Sequence, residues 1–278
     1  MITIITDSSA YLEKAEADKL SVKVVPINYT VNHQTYYETY ADKNGEFEEL
    51  LKRNSKFSTS QPNPSAFLSC FEEELSENNE ILCITISSRL SGIYSAAYMA
   101  AKQTENPNIA VFDSRHTAGA LYLIIKKARK LIDSGLSLGE TVKQLTKIRD
   151  EITSVFSVDD MNPLRNSGRI GFVRMGVGTI LNIKPILLCQ DGVVVSDGMV
   201  HGNTELIKRF VRKIRSNVSE IVINYIENSR IATNLYSVIN SKYPDVHIKL
   251  QKTGPVLGIH LGLGMVAVSY ITQETNKL

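Results

Sequence analysis

Ile81-Leu82-Cys83-Ile84-Thr85-Ile86-Ser87-Ser88-Arg89-Leu90-Ser91-Gly92-Ile93-Tyr94 is the stretch on which the fold turns. Its first six residues are apolar or β-branched without alternation, which predicts a strand buried on both faces. The polar Ser-Ser-Arg that follows ends the strand. Ser91–Gln103 then carries apolar residues at helical spacing. A doubly buried strand handing over to a helix implies a parallel sheet covered by helices. The same rhythm recurs around it, with strands expected at Ile2–Thr6, Val22–Asn28 and Ile109–Asp113. Helices are expected at Leu12–Leu20, Glu46–Arg53, Ser65–Ser76, Ala118–Ser134 and Leu138–Asp150, with Asn54, Asn78 and Gly135 as stops.

The pattern changes after Glu151. Ser154–Val158 reads as a short strand and Asn162–Gly171 as a turn-rich, Arg-bearing stretch. Ile183–Gln190 and Val193–Val200 read as a hairpin turned at Asp191-Gly192. Helix Thr204–Ser216, strand Glu220–Tyr225, helix Ser229–Ser241 and strands His247–Gln251 and Met265–Ile271 complete a second unit with a mixed sheet. The expected organisation is therefore two α/β domains, residues 1–155 and 156–278, with no long linker between them. A cleft between two closely packed halves is the natural ligand site.

The 278 residues suit two such domains. The chain is 43% hydrophobic and 22% charged, the composition of an ordinary globular protein. Its 31 Lys and Arg against 29 Asp and Glu give a net charge of +2, which offers no electrostatic case for nucleic acid or for a membrane surface. The opening MITIITDSSA lacks the features of a signal peptide and no later run is long enough to span a bilayer, so a cytoplasmic protein is expected. Cys70, Cys83 and Cys189 show no paired spacing and read as reduced core thiols. His33, His116, His201, His247 and His260 show no metal-ligand spacing, and no metal or cofactor is expected.

Three stretches combine hydroxyls or cations with Gly or Pro where elements are expected to end. Thr59-Ser60-Gln61-Pro62 precedes a helix and on its own reads first as a helix entry with hydroxyl capping. Ser87–Tyr94 places Ser91 and helix N–H groups at the carboxyl end of the sheet, where open α/β sheets bind ligands and where an anion is favoured. Ser91 as a plain N-cap has comparable weight. The third comprises Leu164–Gly171 with the Gly-rich loop Gly254–Gly262, carrying Arg169 and His260. There is no GxxxxGK[ST], so a nucleotide site of that type is unsupported. A Ser91–His260–Asp7 hydrolase triad stays open on sequence alone.

Along its length the chain resembles the DegV family, whose members include the fatty-acid-binding subunits of bacterial fatty acid kinase. The resemblance is carried by Thr6-Asp7-Ser8-Ser9, Thr59-Ser60-Gln61-Pro62, Ser87-Ser88-Arg89-Leu90-Ser91-Gly92, Gly168-Arg169-Ile170 and Gly258-Ile259-His260-Leu261-Gly262 in this order. It implies a long-chain fatty acid such as palmitate or oleate in a buried tunnel between and within the domains. The carboxylate would lie on Thr59 and Ser91, with Ser60, Gly92, Arg169 and His260 beside it. Ile93, Tyr94 and Ile259 flank these motifs and read equally as tunnel lining or as ordinary core. It also implies that the protein is not an enzyme on its own, but presents the acid to a separate ATP-binding kinase subunit. A passive fatty-acid carrier or sensor, and a serine hydrolase, are the competing readings.

Overall fold

The computed structural model describes residues 1–53, 56–169, 182–227 and 229–272. Asn54, Ile170 and Gly171, named above, lie outside them. In chain order the elements are β1 Ile2–Asp7, α1 Lys14–Lys19, β2 Val22–Val25, β3 Ile27–Val31, β4 Gln34–Glu38, α2 Phe47–Arg53, β5 Phe57–Ser60, α3 Pro64–Ser76, β6 Glu80–Thr85, α4 Ile93–Thr104, β7 Ile109–Asp113, α5 Ala118–Asp133 and α6 Leu138–Glu151. There follow β8 Ile152–Ser157, α7 Asn162–Asn166, β9 Ile183–Gln190, β10 Val193–His201, α8 Gly202–Lys213, β11 Val218–Tyr225, α9 Ser229–Lys242, β12 His247–Lys252, α10 Pro255–Leu261 and β13 Val266–Thr272.

These form two α/β domains. The first is built on an all-parallel sheet of order β2-β1-β6-β7, and the second on a mixed sheet of order β10-β9-β8-β13-β11-β12, in which β11 and β12 run parallel and the other pairs antiparallel. β8 lies wholly in the second sheet. Every residue of β1 is buried, as is β6 beyond its first residue. The run Ala118–Ile125 opening α5 is buried on all sides, because α5 packs against strands of both sheets. Its core unites Ile4 and Leu82 of the first sheet with Val222 and Ile271 of the second.

A third sheet, antiparallel and ordered β4-β3-β5, corrects the expected single strand Val22–Asn28. Pro26 has no N–H to continue a ladder, and the chain changes sheets there, β2 ending at Val25 and β3 starting at Ile27. Asn32 and His33 both take positive φ and make the two-residue turn from β3 to β4. The supposed loop Gly254–Gly262 is also corrected: its centre is the helix α10, started by Pro255 and stopped at Gly262 with φ of 79°. The β9–β10 turn is as expected, with positive φ at Asp191 and Gly192.

Among the described residues no helix is long and apolar enough to cross a membrane.

Candidate functional site: a polar-ended cavity between the sheets

The carboxyl ends of β1, β6 and β7 open toward β5, α10 and the inner face of the second sheet, and a cavity lies between them. It holds about 1250 Å³ of atom-free space, the open solvent at its mouth included. The wall is mostly apolar, with Ile27, Ile86, Ile93 and Ala118 from the first half facing Phe156, Val194, Val256, Leu257, Met265 and Ala267 from the second.

Thr59, Ser60, Ser91, Gly92, Arg169 and His260 all line this cavity. β5 delivers Thr59 and Ser60 at its end, α4 starts directly after Ser91-Gly92, and α10 carries His260 on its last turn. Thr59 Oγ1 and His260 Nε2 are 2.7 Å apart. The Arg169 Nε–H donates to Leu90 O at 3.4 Å, the residue before Ser91, and its Nη1 donates to Ser167 O. Burial and the nearby Arg169 cation push the His260 pKa down to about 4, so the ring is neutral at pH 7. Ser91 is not the helix cap. That position falls to Gly92, with no side-chain capping bond, so the Ser91 hydroxyl is left to the cavity.

Elsewhere on the wall, polar side chains are occupied by the protein. Ser9 Oγ donates to Asp7 Oδ1 at 2.5 Å, Asn224 Nδ2 donates to Gln251 Oε1 at 2.7 Å, Ser154 pairs with Ser269 at 3.0 Å, and Cys189 Sγ donates to Arg115 O at 3.3 Å. Thr117 differs: its buried hydroxyl has no partner among the described residues. Apart from the Thr117 hydroxyl, the polar side chains of the wall not held in this way are those of Thr59, Ser60, Gln61, Ser91, Arg169 and His260.

Two expected lining residues are elsewhere. Ile93 faces the cavity but Tyr94, about 100° further round α4, stacks on Tyr98 with ring centroids 6.1 Å apart. On α10 the cavity face is Val256, Leu257, His260 and Leu261, and Ile259 falls outside this arc, packed among Leu257 and its neighbours in a core cluster. The triad does not assemble either. Asp7 is fully buried and accepts from Ser9 N, Ser9 Oγ and Ile86 N, while no carboxylate hydrogen-bonds His260 among the described residues.

The sequence reading gave no site role to Gln61 or Glu38. Gln61 lines the cavity and its carboxamide lies where a Cβ on Gly92 would sit, so the glycine admits it. Its place next to Ser60 was the available signal. Glu38 is fully buried behind α10 and accepts from Ser8 Oγ at 3.0 Å and Val256 N at 2.9 Å. Nothing in Tyr36-Tyr37-Glu38-Thr39 marks it out.

Fold and site together define a two-domain α/β protein organised around an enclosed, largely apolar cavity with one hydroxyl- and cation-bearing end. The chain belongs to the DegV family: a family model described as an uncharacterised protein of the DegV family matches residues 1–273. A DegV domain-containing protein of Halalkalibacterium halodurans is 30% identical over 98% of this chain and 99% of its own. A DegV family protein from Thermus thermophilus that binds fatty acid superposes with a TM-score of 0.88 at 25% identity, over 98% of this chain and 99% of that one. A DegV lipid-binding protein from Thermotoga maritima shares the fold with a TM-score of 0.89 at 24% identity, over the same shares of the two chains.

Proposed function

We propose that this protein encloses a long-chain fatty acid, its tail in the cavity and its carboxylate on the Thr59 and Ser91 hydroxyls, and presents that carboxylate to a separate ATP-binding kinase subunit. The observation that carries the first part is the make-up of the wall: mostly apolar, with the Thr59 and Ser91 hydroxyls, a neutral histidine and a guanidinium among its polar groups. A buried carboxylate without donors is strongly unfavourable, so an acyl site needs this division. The fatty-acid binding of the Thermus thermophilus relative supports it.

The energetics favour the tail. Each buried methylene contributes roughly 0.8 kcal/mol, so about 15 of them give about 12 kcal/mol before ordering costs. Each hydrogen bond to the carboxylate adds on the order of 1.5–3 kcal/mol. With His260 donating through Nε2 to Thr59 Oγ1, the Thr59 hydroxyl proton is free for the ligand. Arg169 adds a positive charge beside it.

The chemistry of the donors supports the presenting role. Single hydroxyls leave a carboxylate oxygen free to attack a γ-phosphorus, breaking its bond to the ADP oxygen, where a bidentate Arg would occupy both oxygens. Arg169 and His260 would offset charge as the acyl phosphate forms. Three free cysteines, Cys70, Cys83 and Cys189, suit a reducing cytoplasm. The test is incubation with palmitate or oleate, ATP and a fatty acid kinase ATP-binding subunit. Acyl phosphate that depends on this chain supports the presenting role; bound acid without it reduces the protein to a carrier.

A further inference from the structure

Helix α10 is held at both ends by one small sheet. At its first turn Val256 N–H donates to Glu38 Oε2 at 2.9 Å, and at its last turn His260 Nε2 meets Thr59 Oγ1 at 2.7 Å. Glu38 ends β4 and Thr59 lies in β5, the two strands that flank β3. The helix supplies no cap of its own, since Gly254 at its N-cap has no side chain. Val256 and His260 are four residues apart, so they lie on one face, and both line the cavity.

We infer that Glu38 is a positioning residue for the carboxylate end of the cavity, seating the first turn of α10 so that His260 is carried onto Thr59. The inference rests on the proposed fatty-acid reading for what His260 then serves, while the seating is a property of the protein alone.

The contacts of Glu38 fit this role better than that of a filler. Its second oxygen accepts from Ser8 Oγ at 3.0 Å, and that hydroxyl accepts in turn from Ile27 N at 3.2 Å. One carboxyl thus joins the end of the parallel sheet, the small sheet and the second domain's α10. Gly254 lets it approach: a Cβ there would run into Glu38 Oε2 and the Asn44 amide. A buried carboxyl without partners is costly, and here each of its oxygens has one, Ser8 Oγ and Val256 N. Burial, with Asp7 nearby, pushes its pKa up to about 8. Among the described residues Asp7, Tyr11 and Tyr29 are the titratable groups that act on it or feel it.

The experiment uses the full chain, labelled with ¹⁵N in its histidines and freed of ligand, with the His260 ring signals compared in wild type, Glu38→Ala, Glu38→Gln and Gly254→Ala. Glu74→Gln, a buried acid bound to Thr3 and far from α10 in its contacts, is the control. Glu38→Ala and Gly254→Ala are expected to move the His260 signals. Glu38→Gln, which keeps an oxygen for Val256 N–H, should restore them, and the control should leave them in place. Palmitate affinity should fall by about tenfold in Glu38→Ala and recover in Glu38→Gln, the scale of one hydrogen bond to the ligand. His260 signals unchanged in Glu38→Ala, or in Gly254→Ala if the former does not fold, would overturn the inference. Wild-type protein that takes up no palmitate would instead overturn the fatty-acid reading, and the ring signals would still decide for or against Glu38.

Discussion

Thr59 Oγ1 and His260 Nε2 lie 2.7 Å apart across 201 residues of sequence, and their bond joins the small antiparallel sheet of the first domain to α10 of the second. It closes the polar end of the cavity. It also makes the proposed carboxylate anchor depend on how the two domains meet.

Removing the hydroxyl should weaken the anchor and spare the fold. Thr59→Ala is expected to lower palmitate affinity by about 10- to 100-fold, the loss of one hydrogen bond to a charged group. Isothermal titration against palmitate measures it. Thr59 is only partly buried, so the melting temperature should stay close to that of wild type.

The tail end is tested by filling it. Ala267 lines the cavity from β13, opposite Phe156 of β8. Ala267→Leu should move the preference toward shorter acids, read by competing acids of different length, at a stability cost of about 1–3 kcal/mol from overpacking. An unchanged length profile would place the tail elsewhere.

Acid should destabilise the protein through its buried histidines. Burial lowers His116 and His260 to about 4, below their ordinary value. Their contribution is therefore present above about pH 6.5 and lost as pH falls through 4. Thermal melts between pH 7 and 4.5 should show the fall, and His116→Gln should reduce it.

Glu38 has the opposite sign. Its pKa is raised from 4.5 to about 8, so its contribution is present below about 4.5 and lost as pH rises through 8. Glu38→Gln, which does not titrate, should gain stability relative to wild type by about a few kcal/mol over that window. Denaturant midpoints at pH 5 and pH 8.5 give the comparison.

The β9–β10 turn is a further tie between the domains. Ser87 Oγ donates to Gly192 O at 2.8 Å, and Arg89 Nη1 donates to Asp191 O at 3.2 Å. Gly192 has φ of 81°, and a Cβ there would strike Ser87 Oγ. Gly192→Ala should cost about 1–3 kcal/mol, from the left-handed backbone and the displaced hydroxyl together. Chemical denaturation reads it directly.

The layered α/β plan was legible because doubly buried strands such as Ile81–Thr85 announce themselves by unbroken apolar runs, and the Asp191-Gly192 turn by its chemistry. The small sheet was not. Its β4 is largely exposed, its hairpin turns on Asn32-His33 rather than a glycine, and Pro26 divides what reads as one strand. In the site, motif order led to Thr59, Ser91, Arg169 and His260, which the fold gathers around one cavity. Helical phase turns Tyr94 about 100° away from Ile93 and leaves Ile259 outside the arc of Val256, Leu257, His260 and Leu261. Glu38 was illegible for a different reason: its role depends on Val256, 218 residues distant, and no local pattern encodes that pairing.

The most direct test is native mass spectrometry of the protein as purified from a bacterial host, followed by denaturation and identification of what is released. A stoichiometric long-chain fatty acid that disappears in the Thr59→Ala/Ser91→Ala variant is the predicted result. Protein that arrives empty and takes up neither palmitate nor oleate, or that holds its acid undiminished in the double variant, would contradict the account.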